Sequence, residues 1–324
     1  MSGKMKMILV VACLLVLALV PSFALAAGNE AVVNGTSYTN FMDAVKAASG
    51  TSYPVEIYGT MTVSGSFPNN VNVKIVGKTD DAALNLGSSA HAAHGGIMVF
   101  EDLKLIKANV NYAGFHHAAK VTYNDCTIEG EYWTYAPETE FNRCTFIQTD
   151  AGKYNLWTYG ATNCTLNDCT FKFASKSVLF YNESKTNNFT LNVNNCKFIT
   201  ENYVASDKAA IEIDSSLSTT GSYTLNLSGN EVDCLLAPNG ENGMWRHKKG
   251  EKLTVSESGS SQIHNDECGH VVEEPEEEEE EEVLPPANQP VTGDNMPLMA
   301  AFAAMLLSLG AILVLSKRQR KSEN

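Results

Sequence analysis

The sequence predicts an all-β protein built of stacked coils, and three observations carry that expectation. A short pattern recurs. Val121 to Ile128, Val-Thr-Tyr-Asn-Asp-Cys-Thr-Ile, sets apolar residues at Val121, Tyr123, Cys126 and Ile128 around a polar pair, Asn124-Asp125, that shifts the alternation by one. The same grammar returns at Phe141-Asn142-Arg143-Cys144-Thr145-Phe146, at Leu166 to Phe171, at Leu191 to Phe198 and at Leu225 to Val232, with an upstream copy at Met98 to Leu105. The spacing is the third observation. From Leu103 through Cys126, Cys144, Cys169 and Cys196 to Asn230 the steps are 23, 18, 25, 27 and 34 residues, so the bend recurs while the loops vary. One unit has too few apolar residues to close a core. Stacked at the ~4.8 Å inter-strand spacing, the units bury a continuous apolar column and pair each strand with the coils on either side.

Asn suits the bend because it tolerates the left-handed conformation and can hydrogen-bond its equivalent in the next coil. The Asn-x-Cys-x-Phe repeat resembles the right-handed parallel β-helix of pectin-lyase-like proteins, over roughly Val71 to Ile263. The resemblance implies a right-handed parallel β-helix across residues 71–268. It implies no activity, since that fold carries enzymes, adhesins and inert stalks alike.

Taken in order, the chain opens with Lys4 and Lys6, an apolar run from Met7 to Val20 and Ala24-Leu25-Ala26. This reads as a signal peptide over 1–26, with Ala24 and Ala26 recognised by the signal peptidase. Residues 27–70 read as an N-terminal cap and first coil: Ala31-Val32-Val33, then a helix with Phe41, Ala44, Val45 and Ala48 at helical spacing, then Val55 to Tyr58. Asn40 is the expected N-cap and Gly50 the stop. A short amphipathic helix covers the open end of a strand stack, which would otherwise expose unpaired edges.

Between the bends, Trp133-Thr134-Tyr135 and Trp157-Thr158-Tyr159 stand 11 and 12 residues before Cys144 and Cys169, so a third sheet runs there. Leu179 to Tyr181, Ile211 to Ile213 and Met244-Trp245 are expected to continue it. After about Ile263 the pattern fades. Residues 269–288 hold nine glutamates between Glu273 and Glu282, then Pro285-Pro286, which makes an extended, self-repelling spacer.

The end of the chain, residues 289–324, carries Gln289-Pro290-Val291-Thr292-Gly293, an apolar run over 297–315 and the basic tail Lys317 to Lys321. This resembles the Leu-Pro-x-Thr-Gly-type cell-wall sorting signals of Gram-positive bacteria, in a variant form with Gln289 in the leucine position. The resemblance implies that a sortase recognises Pro290, Thr292 and Gly293, cleaves after Thr292 and joins Thr292 to peptidoglycan. The 297–315 run would be a transmembrane helix holding the precursor, with the basic end cytoplasmic. The implied location is extracellular and wall-attached.

The net charge of −14 argues against nucleic acid as a partner. Of eight cysteines, Cys13 falls in the leader, leaving an odd number. Cys126, Cys144, Cys169 and Cys196 recur at one inward position and read as buried free thiols, with Cys164 inward as well. Cys234 and Cys268 are the expected pair if any forms. Aligning coils stacks His94 on His117, near His91 and His116, the one set suited to zinc or copper. His264, Cys268 and His270 form a weaker set, and no cofactor is otherwise implied.

For catalysis, Glu212 and Asp214 are expected side by side on the outer face of one strand, near Asp207 and Lys208, with Arg246 on the next. The resemblance to pectin-lyase-like enzymes implies acid, base or calcium-binding roles for such residues. Trp133, Tyr135, Trp157, Tyr159 and Trp245 either fill the column or form an outward ladder able to stack on sugar rings, and inward is the expected side. The functional expectation is a wall-anchored adhesin or glycan-binding module. The alternatives are a wall-attached polysaccharide lyase or glycoside hydrolase, and a purely structural surface protein.

Overall fold

Each repeat folds as two short strands across a bend. Lys120–Asn124 is followed by Thr127–Glu129, then by the short strand Tyr132–Trp133, and the chain returns at Glu138–Asn142 to lie parallel beside Lys120–Asn124. Repetition of this circuit builds three sheets in the computed structural model, which describes residues 28–87, 90–106, 114–181, 188–200, 208–214, 221–233, 243–247 and 252–263. The first sheet has eleven described strands, the second nine and the third five, with a separate parallel pair formed by His91–Ala92 and Phe115–His116. The chain is therefore all-β with mostly parallel strands in long stacked sheets, an arrangement compatible with a β-helix.

Register is set by the inward residues. Phe100, Tyr123 and Phe141 stack at 5.2 and 4.5 Å within the first sheet, and Phe146, Phe171 and Phe198 at 4.4 and 4.9 Å within the second. All six are buried, and each such ring contributes about 1.5–3 kcal/mol of apolar transfer energy. A one-residue slip would expose the whole set. Two tyrosines in this core, Tyr123 and Tyr132, satisfy their hydroxyls by bonding to each other. Burial pushes both hydroxyls up, so they stay neutral.

The bend divides its labour between two residues, which differs from the expectation that Asn supplies the left-handed turn. Positive φ falls on the second residue: Asp102, Asp125, Arg143, Asp168 and Asn195, all between 53° and 55°. Gly229 and Gly259 continue that column at 63° and 66°, where glycine pays no Cβ penalty. The first residue instead forms a side-chain ladder. Asn142 donates to Asn124 at 2.9 Å, Asn167 to Asn142 at 2.8 Å and Asn194 to Asn167 at 2.9 Å. Arg143 is an unusual left-handed residue, and its guanidinium holds Asp125 through two 2.7 Å bonds. That pairing holds the Asp125 carboxyl below the ordinary aspartate range.

The N-terminal end is capped as the sequence implies, with one addition. Glu30–Val33 pairs antiparallel with both Val55–Tyr58 and Thr36–Tyr38, so Asn34-Gly35 closes a hairpin rather than leading straight to the helix. The helix spans Phe41–Ala48, and the Asn40 side chain accepts from the Met42 and Asp43 amides at 2.9 and 3.2 Å. Phe41, Met42, Ala44, Val45 and Ala48 are its buried face. Antiparallel pairing at this end blocks further parallel addition.

The expected leader with Ala24 and Ala26, the expected spacer, Pro290, Thr292, Gly293, the 297–315 run, Asp207, Cys234, Cys268, His264 and His270 lie outside the described residues. Among the described residues no helix is long and apolar enough to cross a membrane.

Candidate functional site: the outer face of the third sheet

The third sheet is built from Tyr132–Trp133, Leu156–Trp157, Val178–Tyr181, Ile211–Asp214 and Trp245–His247, as the Trp-Thr-Tyr spacing implies. Tyr132, Leu156, Val178, Phe180, Ile211 and Ile213 point into the core. Alternation then sends the next residue of each strand outward, so Trp133, Trp157, Leu179, Glu212 and Arg246 form one outer row in register.

This corrects the expected inward placement of the rings. Trp133, Tyr135, Trp157 and Tyr159 lie on the outer face, and the threonines between them turn in. Thr134 and Thr158 are buried, and their hydroxyls donate to the Trp157 and Tyr181 carbonyls of the following coil. A small β-branched residue that can bond the next coil fits the crowded inside, which leaves the rings outside.

The rings pack on one another. Trp133 and Trp157 stack face to face at 4.4 Å, Trp133 and Tyr159 meet at 4.7 Å, and Tyr159 and Tyr181 at 6.0 Å. Tyr135 lies 3.6 Å from the His116 ring, which extends the cluster toward the N-terminal coils. Trp133 is 6% exposed, while Tyr135, Trp157, Tyr159 and Tyr181 are half-buried. Stacking covers ring faces inside the cluster, so a ligand meets ring edges and the outer tyrosines. Burial, with the neighbouring His117 second, holds the His116 imidazole below its ordinary range.

Two carboxylates sit under this cluster. Glu131 accepts from the Trp133 indole at 2.9 Å and from the Tyr154 amide at 3.3 Å. Glu212 is fully buried, and the Tyr154 hydroxyl donates to it at 3.1 Å. The expectation of an exposed Glu212 is corrected accordingly. The carboxylate lies on the outer side of its strand but is sealed beneath Tyr154, so it does not present a solvent-facing pair with Asp214. Arg246 stands beside Glu212 in register and is exposed. Lys176 sits 5.3 Å over the Tyr154 ring.

His94 and His117 stack as the coil alignment implies, with ring centres 4.6 Å apart and planes within 5°. Their companions are engaged elsewhere. His91 is buried, with its ring nitrogens 3.0 and 2.8 Å from the Gly65 and Leu86 carbonyl oxygens, and His116 packs on Tyr135. Among the described residues no three His, Cys, Asp or Glu side chains converge as a metal site.

Sequence reasoning placed Tyr181 on the third sheet without joining it to the rings, and it missed Glu131 and Tyr154. Glu131 shares a face with Trp133 two residues later, and Tyr181 repeats the register of Tyr159, so both were within reach of the alternation. In comparisons with known proteins, no family model, curated protein or solved structure matches this chain.

Proposed function

We propose that this chain is an exported, wall-attached display protein, a right-handed parallel β-helix of the pectin-lyase-like kind that binds a glycan on the outer face of its third sheet. The observation that carries the binding part is the outward aromatic cluster of Trp133, Tyr135, Trp157, Tyr159 and Tyr181, held from behind by Glu131 and Tyr154. Aromatic side chains are costly to leave outside a core that has room for apolar residues. Their presence at five positions along the outer side of the third sheet and the turns that follow its strands supports a surface kept for contact with C–H-rich, hydroxylated ligands.

Attachment rests on the sequence. The leader with Ala24 and Ala26, the glutamate spacer, the Pro290-Val291-Thr292-Gly293 motif, the apolar run and the basic tail together support export, sortase cleavage and linkage through Thr292. Incubating the purified protein with a glycan panel, with and without calcium, tests the binding reading. Retention of intact glycan supports it. Release of reducing or unsaturated sugars would replace it with a lyase or hydrolase.

A further inference from the structure

Cys126, Cys144, Cys169 and Cys196 occupy one position in four successive coils. The residues on both sides pair in register: Asn124, Asn142, Asn167 and Asn194 before them, Thr127, Thr145, Thr170 and Lys197 after them. All four are buried free thiols. Each sulfur donates to the carbonyl two residues earlier, at 3.3, 3.5, 3.3 and 3.4 Å, so the four side chains share one orientation. A column of sulfurs therefore runs along the stack at the inter-strand spacing.

We infer that this column binds soft, two-coordinate thiophilic cations, one ion between the sulfurs of two neighbouring coils. The spacing selects the chemistry. A relaxed disulfide needs its Cβ atoms ~3.5–4.5 Å apart, and equivalent positions on parallel coils are held at ~4.8 Å, so cross-coil oxidation is strained. A linear sulfur–metal–sulfur unit with bonds the length of a zinc–thiolate bond, ~2.3 Å, spans ~4.6 Å, close to the ~4.8 Å between equivalent positions on neighbouring coils. Zinc and calcium need three or more ligands around a point, and a straight column offers only opposed pairs.

Charge selects within the soft ions. A divalent ion displaces one proton from each of two thiols, forming two sulfur–metal bonds and releasing two protons, and the product is neutral. A neutral unit suits an interior where an unpaired charge would be costly. Four sulfurs make two such sites, Cys126 with Cys144 and Cys169 with Cys196.

Mercuric ion is the probe. The folded full-length chain is incubated with it until uptake stops and freed of loose metal. Bound mercury per chain is then measured, with X-ray absorption reading the metal's neighbours. Two double variants remove the same number of thiols and leave different adjacency. Cys126→Ala with Cys196→Ala keeps the adjacent pair Cys144 and Cys169, and should lose one ion. Cys144→Ala with Cys169→Ala leaves two sulfurs that are not neighbours, and should lose both. Cys164→Ala, outside the column, should lose none, and Cys13, Cys234 and Cys268 stay in every chain. The wild-type spectrum should show two sulfur neighbours per metal at about half the spacing between coils, ~2.4 Å. Should a double variant fail to fold, Cys144→Ala against Cys164→Ala asks the same question, with one ion lost against none. Equal losses in the two double variants, or in the two single ones, would overturn the inference. So would a wild type that takes up no more mercury than the chain lacking Cys144 and Cys169.

Discussion

The Tyr154 hydroxyl donates to the Glu212 carboxylate at 3.1 Å, joining two residues 58 positions apart on the outer face of the third sheet. Glu212 is fully buried, and an intramolecular hydrogen bond is worth about 0.5–1.5 kcal/mol net. Tyr154→Phe keeps the ring and removes the donor, so it should destabilise the protein by roughly that amount. Urea unfolding is the check, and an unchanged midpoint would show that the contact carries no net energy.

The asparagine ladder makes a graded prediction. Asn167 donates to Asn142 and accepts from Asn194, whereas Asn124 has one ladder bond, from Asn142. At about 0.5–1.5 kcal/mol per bond, Asn167→Ala should cost roughly twice as much as Asn124→Ala. Equal costs would mean that the backbone pairing, and not the ladder, fixes the bend.

Acid sensitivity should involve His116. Burial lowers its folded-state pKa from the usual 6.5, so above that pH both folded and unfolded chains carry it neutral. As pH falls below 6.5 the unfolded chain takes up the proton first, and this contribution to stability declines until the folded ring protonates too. His116→Gln removes the effect. The stability difference between wild type and variant should shift against the wild type from pH 7.5 to pH 5, measured by urea midpoints. A constant difference would show that the ring does not couple folding to pH.

Much of the fold was legible because period-2 alternation and a recurrent bend are local signals. The inward columns, the third sheet and the N-capped helix at Phe41–Ala48 all follow from them. The division of the bend was not, because Asn and Asp each suit both the left-handed position and the ladder. Which way Trp133 and Trp157 face was equally hidden. Alternation puts Trp and Tyr on one side without saying which, and the answer depends on Thr134 and Thr158 bonding to the next coil. Burial of Glu212 depends on Tyr154, in a loop outside the repeat, and no spacing rule connects them.

Attachment makes a prediction that needs only cell fractionation. Thr292→Ala removes the residue that would form the bond to peptidoglycan, so the protein should move from the wall fraction to the membrane fraction. A mutant still bound to peptidoglycan after boiling in detergent would refute linkage through Thr292.

The outer aromatic face is tested most directly by glycan affinity in Trp157→Ala and Tyr159→Ala, compared with wild type and with Lys172→Ala on the second sheet. Each ring contact is worth about 0.5–1.5 kcal/mol, so either ring variant should weaken binding by about 2- to 13-fold, and Lys172→Ala should leave it unchanged. Circular dichroism shows that the variants keep their strands. Wild-type affinity in both folded ring variants would contradict the account and move the binding surface away from the third sheet.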